Sequence, residues 1–276
     1  MYRKILFALD MEGVNHVSGE AYCGLTRATA HYEVAIRQAA LEINAAARAL
    51  FDLGVTRIDL WDNHGGGHNI IPEELDGRIR LLDPDLSRPR MYFAANGAYD
   101  AICFFGYHAM EGTLGGVLAH TMSSKVVQYY KLNGKYIGEV DMDAYIAASH
   151  GVATCFFAAG DITCAQAARA VPGIVTVTTK RELARNLAEF RDNDALFADI
   201  GEGIRRAVQS EMPIRQLAFP ATVEKSFKRV EDAAEYLVRL RDLGIEADHP
   251  DDDLLGKDAH SVVSTVHSIE AFINCI

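Results

Sequence analysis

Four stretches constrain this chain more than any other feature: "KILFALD", "RIDLWDNH", "AICFFGYH" and "VATCFFAAGD" are short apolar runs, each closing on an acidic residue or a histidine. Runs with little polar alternation suit strands buried on both faces, as in a parallel sheet covered by helices. Between the first two, Ile36, Ala40, Ile43, Ala47 and Leu50 share one face of a helix over about His31 to Leu53, which Gly54 stops. A strand, helix, strand opening predicts a right-handed crossover. "GIVTVTTK" reads as a further buried strand, separated from "VATCFFAAGD" by a helix near Ile162 to Val171.

One segment breaks the alternation. In "KVVQYYKLNGKYIGE" two β-rich arms meet at Asn133-Gly134, the strongest short hairpin signal, and predict an antiparallel excursion. After about Asn193 the chain reads as a helix through Val208, a candidate strand in "RQLAFPATVEKSF" and a helix from Val230 to Leu243. A final helix is read from Val262, Val266, Ile269 and Ile273, and the acidic "EADHPDDDLLGKD" before it as a solvated loop. The fold class is therefore α/β: a mostly parallel sheet flanked by helices, with an antiparallel hairpin excursion and a smaller carboxyl-terminal α+β region. The corresponding division is a catalytic domain over 1–192 and the smaller region over 193–276.

Composition narrows the partners. A net charge of -11 argues against nucleic acid and anionic membranes, which call for clustered Lys and Arg, and leaves small molecules or proteins. The amino terminus shows no small-residue cleavage site and no later segment has about 18 uninterrupted apolar residues, so the expected location is the cytoplasm. Five cysteines, with no CxxC pair, indicate neither a disulfide framework nor a thiolate zinc site.

Asp10 and Glu12 lie two residues apart where the first run ends, so both carboxylates would share one small volume. Their repulsion has to be offset by a shared proton, a basic neighbour or a cation. The other runs offer His64 and His108 at the corresponding ends, "VLAH" adds His120 and "KYIGE" adds Glu139. In open α/β sheets the carboxyl ends of strands line the ligand crevice, so these side chains could converge. Carboxylates with imidazoles and no thiolate suit zinc, manganese or a similar divalent ion. Singly, a histidine at a strand end is more often a hydrogen-bonded structural residue, and a Glu after a hairpin is usually solvated.

The motifs "LDMEG", "DNHGG", "FFGYHAMEGT", "GVLAHTMS" and "NGKYIGEVDMDAY", followed by "AAGD" and "TVTTK", occur in this order, and in them the chain resembles the D-aminopeptidase family of binuclear zinc peptidases. The resemblance runs from the amino terminus to about residue 190. It implies that Asp10 bridges two zinc ions, that Glu12 and His108 complete the ligands of one and His64 and Glu139 those of the other, and that His120 is catalytic. Where the family pattern reads more like "GVMSHSM", this chain has Leu118 and Ala119 beside that histidine. The resemblance further implies an aminopeptidase acting on short peptides, with D-residues preferred, in a ring-shaped homo-oligomer. Two rivals stand beside it: a metal-dependent hydrolase of another amide or ester, and a metal-stabilised binding or assembly protein without turnover.

Weaker candidates complete the reading. Gly65 to Gly67 lack the Lys-Ser/Thr ending of a phosphate loop and are better explained by close packing near a metal. His68 is a spare ligand candidate. Asp161 suits a helix cap or a hydrogen bond to a ligand histidine. Tyr107 reads as a core or wall residue, Lys180 as a cleft residue or exposed helix start, and Asn186 as a residue shaping the cleft.

Overall fold

The computed structural model describes residues 1–276. Strands and helices are numbered here in chain order. Six parallel strands form the first sheet: β1 (Lys4–Leu9), β2 (Arg57–Asp62), β3 (Arg80–Leu81), β4 (Ala101–Phe105), β7 (Ala153–Ala159) and β8 (Val175–Thr178), in the order β3-β2-β1-β4-β7-β8. β4 and β7 are buried along their whole length, as their apolar runs require. One face is covered by α1 (Tyr32–Asp52) and α4 (Asn193–Gln209), which pack on each other; α2 (Glu139–Ser149) and α3 (Asp161–Ala170) cover the other. The chain winds outward from β1 in one direction and from β4 in the other, so the strand order reverses between these two. At such a reversal the loops leaving neighbouring strands splay apart and leave a crevice at the carboxyl ends.

The hairpin β5 (Val127–Leu132) and β6 (Lys135–Ile137) turns at Asn133-Gly134, both with positive φ, as its sequence predicts. It joins a second, antiparallel sheet with β11 (Ala221–Phe227), β12 (Glu246–Asp248) and β15 (Ser261–Val266), ordered β12-β15-β11-β5-β6. α5 (Val230–Asp242) and α6 (Ile269–Cys275) pack on this sheet. Two smaller hairpins complete the chain: β9 (Lys180–Ala184) with β10 (Leu187–Phe190), and β13 (Asp251–Asp252) with β14 (Gly256–Lys257). The buried side chains of both sheets form one continuous core. Four cysteines are buried as free thiols, and Cys23 is exposed.

Three local expectations change. Val262 and Val266 lie on β15, not on a final helix; four residues apart is one turn of helix but also two strand repeats, and the β-branched "SVVSTV" fits the strand. Only Ile269 and Ile273 belong to the last helix. The acidic stretch contributes β12 and the exposed β13–β14 hairpin. Lys180 is not at an exposed helix start but fully buried in β9.

Where β1 and β4 run out, the two following segments press together. Asp10 N donates to Phe105 O and Gly13 N to Gly106 O. A Cβ on Gly106, whose φ is +68°, would collide with the Asp10 carbonyl oxygen, and one on Gly13 with that of Tyr107. Backbone contact this close explains the glycines of "LDMEG" and "FFGYH". Gly106→Ala combines left-handed strain with overpacking and is expected to cost on the order of 3 kcal/mol, read as a lowered midpoint in denaturant unfolding.

Candidate metal centre

The loops leaving β1, β2 and β4 and the start of α2 bring Asp10, Glu12, His64, His108 and Glu139 into one crevice at the reversal of strand order, and His120 reaches the same place from the loop before β5. Asp10, Glu12, His108 and Glu139 are buried. The loop carrying Asp10 and Glu12 is held from below by Lys180, whose ammonium donates to the carbonyl oxygens of Glu12, Val14 and Val17. Asn15 ties the same loop to α1, its N–H donating to Glu42 at 2.8 Å, and to α4 through Asn193. Glu139 is the first residue of α2, where the helix dipole favours a carboxylate, and its Oε1 accepts from Met122 N at 2.7 Å.

All three histidines spend one ring N–H on a backbone carbonyl. His64 Nε2 donates to Leu25 O at 2.9 Å, His108 Nδ1 to Ala109 O at 3.1 Å and His120 Nδ1 to Leu118 O at 2.8 Å. A carbonyl can only accept, so in each neutral ring the other nitrogen keeps its lone pair. That nitrogen faces carboxylate oxygen in two of them. His64 Nδ1 is 2.8 Å from Asp10 Oδ1 and 3.1 Å from Glu12 Oε2. His108 Nε2 is 3.4 Å from Asp10 Oδ2 and 3.3 Å from Glu139 Oε1, buried, and makes no hydrogen bond. The ring of His120 stacks on that of His108, centroids 3.7 Å apart and 12° from parallel.

Lone pairs aimed at carboxylates are stable only with positive charge between them. The titration of the groups carries the same demand. Burial disfavours the charged forms of His64 and His108, yet Glu12 and Asp10 push the first up to about 12, and Glu139 and Asp10 raise the second well above its ordinary value. Burial likewise opposes ionisation of Asp10 and Glu139, but His108 and His64 hold Asp10 well below the usual carboxylate range, and His108 brings Glu139 down to about 2. His120 goes the other way, lowered by burial and by the charge of His108. A divalent cation would supply the missing charge with every ring left neutral, and the donor set of oxygen and nitrogen without sulfur suits zinc or manganese. Two groups of donor atoms lie within 4.8 Å of one another: Asp10, Glu12 and His108, and His108, His120 and Glu139. The first joins three residues expected on one ion, and the second joins His120, expected to be catalytic, to His108 and Glu139. His64 faces Asp10 and Glu12 rather than Glu139.

The other candidates sit elsewhere. His68 is exposed, near Asp83. Asp161 caps no helix and meets no histidine: Gly160 is the cap, and Asp161 Oδ1 accepts from Glu182 N. Asn186 donates to the carbonyl oxygens of Ser18 and Glu20. Tyr107 is a buried wall residue, its hydroxyl donating to Asp143 Oδ2 at 2.7 Å and accepting from Asn63 at 3.1 Å. Asp143 also takes Arg90 in a two-point ion pair, at 2.6 and 2.8 Å. Sequence reasoning missed this pair. Asp143 lies four residues after Glu139, on the same face of α2, which was the one available signal; Arg90 in "SRPRMY" carried none.

Residues 3–241 match the peptidase family M55, described as D-aminopeptidase. The chain is 25% identical over 217 residues to a D-aminopeptidase of Bacillus subtilis (strain 168), covering 79% of this chain and 78% of the relative. Its fold is that of the Zn-dependent D-aminopeptidase DppA from Bacillus subtilis, a self-compartmentalizing protease, with a TM-score of 0.85 and 20% identity over 99% of this chain and 94% of that one.

Proposed function

Because the chain belongs to the D-aminopeptidase family of peptidases, M55, we propose that it is a zinc-dependent aminopeptidase with a two-ion centre, removing the amino-terminal residue of short peptides that contain D-amino acids. The observation that carries this reading is the pair of lone-pair nitrogens on His64 and His108 facing the carboxylates of Asp10, Glu12 and Glu139, for which a bound cation is the natural complement. Asp10 would be the ligand shared between them, a role supported by its Oδ1 facing His64 and its Oδ2 facing His108. Glu12 and His108 would complete one ion's ligands, and His64 and Glu139 the other's.

Bound dications supply Lewis acidity, polarising a scissile carbonyl and bringing the pKa of a water toward neutrality. The chain's own contribution is positioning and proton handling. His120, its Nδ1 committed to Leu118 O, presents Nε2 to the crevice, where it can take a proton during attack and return it to the leaving amine, or hold a proton against the developing oxyanion. Lys180, Gly13 and Gly106 fix the backbone on which Asp10, Glu12 and His108 stand.

A cytoplasmic location and a ring-shaped assembly of copies belong to the same proposal; the second is supported by the self-compartmentalizing character of DppA. No helix is long and apolar enough to cross a membrane. The test is the substrate's amine. Free-amine dipeptides and aminoacyl amides are expected to be cleaved, D-residues faster than L, with their N-acetyl counterparts nearly inert, since losing a buried charged contact costs more than changing a methylene. Chromatography of products from matched pairs reads this, and efficient cleavage of N-acetyl peptides would overturn the aminopeptidase assignment.

A further inference from the structure

Two cavities meet at Arg90. One, about 280 Å³, contains the carboxylate and imidazole cluster. The other, about 480 Å³, lies beyond Asn63, Gly65, Arg90 and Met122, which line both.

The larger cavity has different chemistry. Trp61, Leu82, Met91, Phe93 and Ile273 give it apolar walls, and Arg88, Arg90 and Arg239 bring positive charge. Its two acidic side chains are already engaged. Asp62 accepts from the backbone N–H groups of Asn69 and Ile70, and Asp85 from the N–H and hydroxyl of Ser87. Arg90 is held firmly: Nε and Nη2 grip Asp143, itself fixed by Tyr107, and the guanidinium lies 4.8 Å from the centroid of the Trp61 ring. Its third nitrogen, Nη1, donates to no protein group. An oriented donor at the neck of an apolar, cationic chamber is suited to a carboxylate attached to an apolar side chain.

We infer that this chamber receives the residue on the carboxyl side of the scissile bond, its apolar side chain against Trp61, Met91 and Phe93 and its free carboxylate on Nη1 of Arg90. The inference rests on the aminopeptidase reading and sharpens it: the preferred substrates are dipeptides with an apolar second residue and a free carboxyl terminus. A longer peptide places an uncharged amide where the carboxylate belongs and loses the charged contact.

Gly66 offers a direct test. It lines the chamber, its φ lies outside the left-handed region, and a Cβ there meets nothing within 4 Å, so Gly66→Trp adds bulk at the chamber wall without straining the backbone. Arg90→Lys keeps the charge facing Asp143 but removes the fork. Zinc-loaded wild type and both variants would be compared on alanyl-phenylalanine, its carboxyl-terminal amide, and alaninamide, each in D and L form. The wild type is expected to favour the free acid over its amide about tenfold or more in kcat/KM, and Arg90→Lys to erase that preference. Gly66→Trp is expected to lower the ratio of alanyl-phenylalanine to alaninamide cleavage about tenfold. Should Arg90→Lys fail to fold, the wild-type acid preference and the Gly66→Trp ratio still decide. An enzyme that cleaves alaninamide but treats acid and amide alike, or a Gly66→Trp ratio equal to wild type, overturns the chamber assignment alone. A wild type that cleaves none of the three overturns the aminopeptidase reading, and the chamber assignment with it.

Discussion

Asp10→Ala is expected to leave the proposed two-ion centre without bound metal and lower hydrolysis on the order of a thousandfold or more. The expectation follows from where its two oxygens point. Oδ1 lies 2.8 Å from a nitrogen of His64 and Oδ2 3.4 Å from one of His108, so a single carboxylate serves both halves of the cluster. Without it, Glu12 and Glu139 are left with one histidine each and neither half has three donors. A dication that lowers the pKa of water from 15.7 to about 7 accounts for many powers of ten in nucleophile supply, so its loss outweighs any positioning effect. Elemental analysis after gel filtration, alongside a turnover assay, reads both quantities. Asp10→Asn, of nearly equal volume, separates loss of charge from loss of packing. Full metal content in the alanine variant would overturn the shared-ligand role.

His120→Ala is expected to keep its metals and lose turnover by about a hundredfold or more, the scale of a positioned proton-transfer or oxyanion group. The contrast is with His108→Ala, which should lose metal. The two rings are stacked and both stand near Glu139, so proximity alone does not separate them. Their surroundings do. His108 is buried with its Nε2 between Asp10 and Glu139, whereas His120 lines the open crevice. Metal content measured on both variants decides: if His120→Ala loses metal as His108→Ala does, His120 is a ligand and the division of roles is wrong.

The layered α/β architecture was readable because its strands are buried on both faces, and such runs as "AICFF" and "VATCFFAA" have few other uses. The order of those strands was not readable. It arises from where each crossover packs, and it alone decides that the ends of β1 and β4 adjoin. β15 was misassigned because Val262 and Val266 satisfy both periodicities, and only pairing with β11 and β12 chooses between them. Lys180 misled for a related reason: a lysine is usually exposed, and its burial here is compensated by three carbonyl oxygens far away in sequence. For the site, strand-end positions and the Asp10, Glu12 spacing pointed to a cation, while Glu139, a candidate from its place after the hairpin, took its ligand role only from resemblance to a family. No local pattern marks a glutamate that follows a hairpin as buried.

The excursion of β5 and β6 into the second sheet also sets an order of events during synthesis. β5 finds its neighbour β11 only once residues 221–227 have left the ribosome, and until then it presents an unpaired edge. Glu139 begins the helix directly after this hairpin, and that helix packs on β7 as well as beside β6, so the carboxylate stands where the two sheets meet. The strand that completes the hairpin's sheet thus comes from the part of the chain that contributes no candidate ligand. A nascent chain released near residue 192 carries every candidate donor atom yet lacks the strand that pairs with β5.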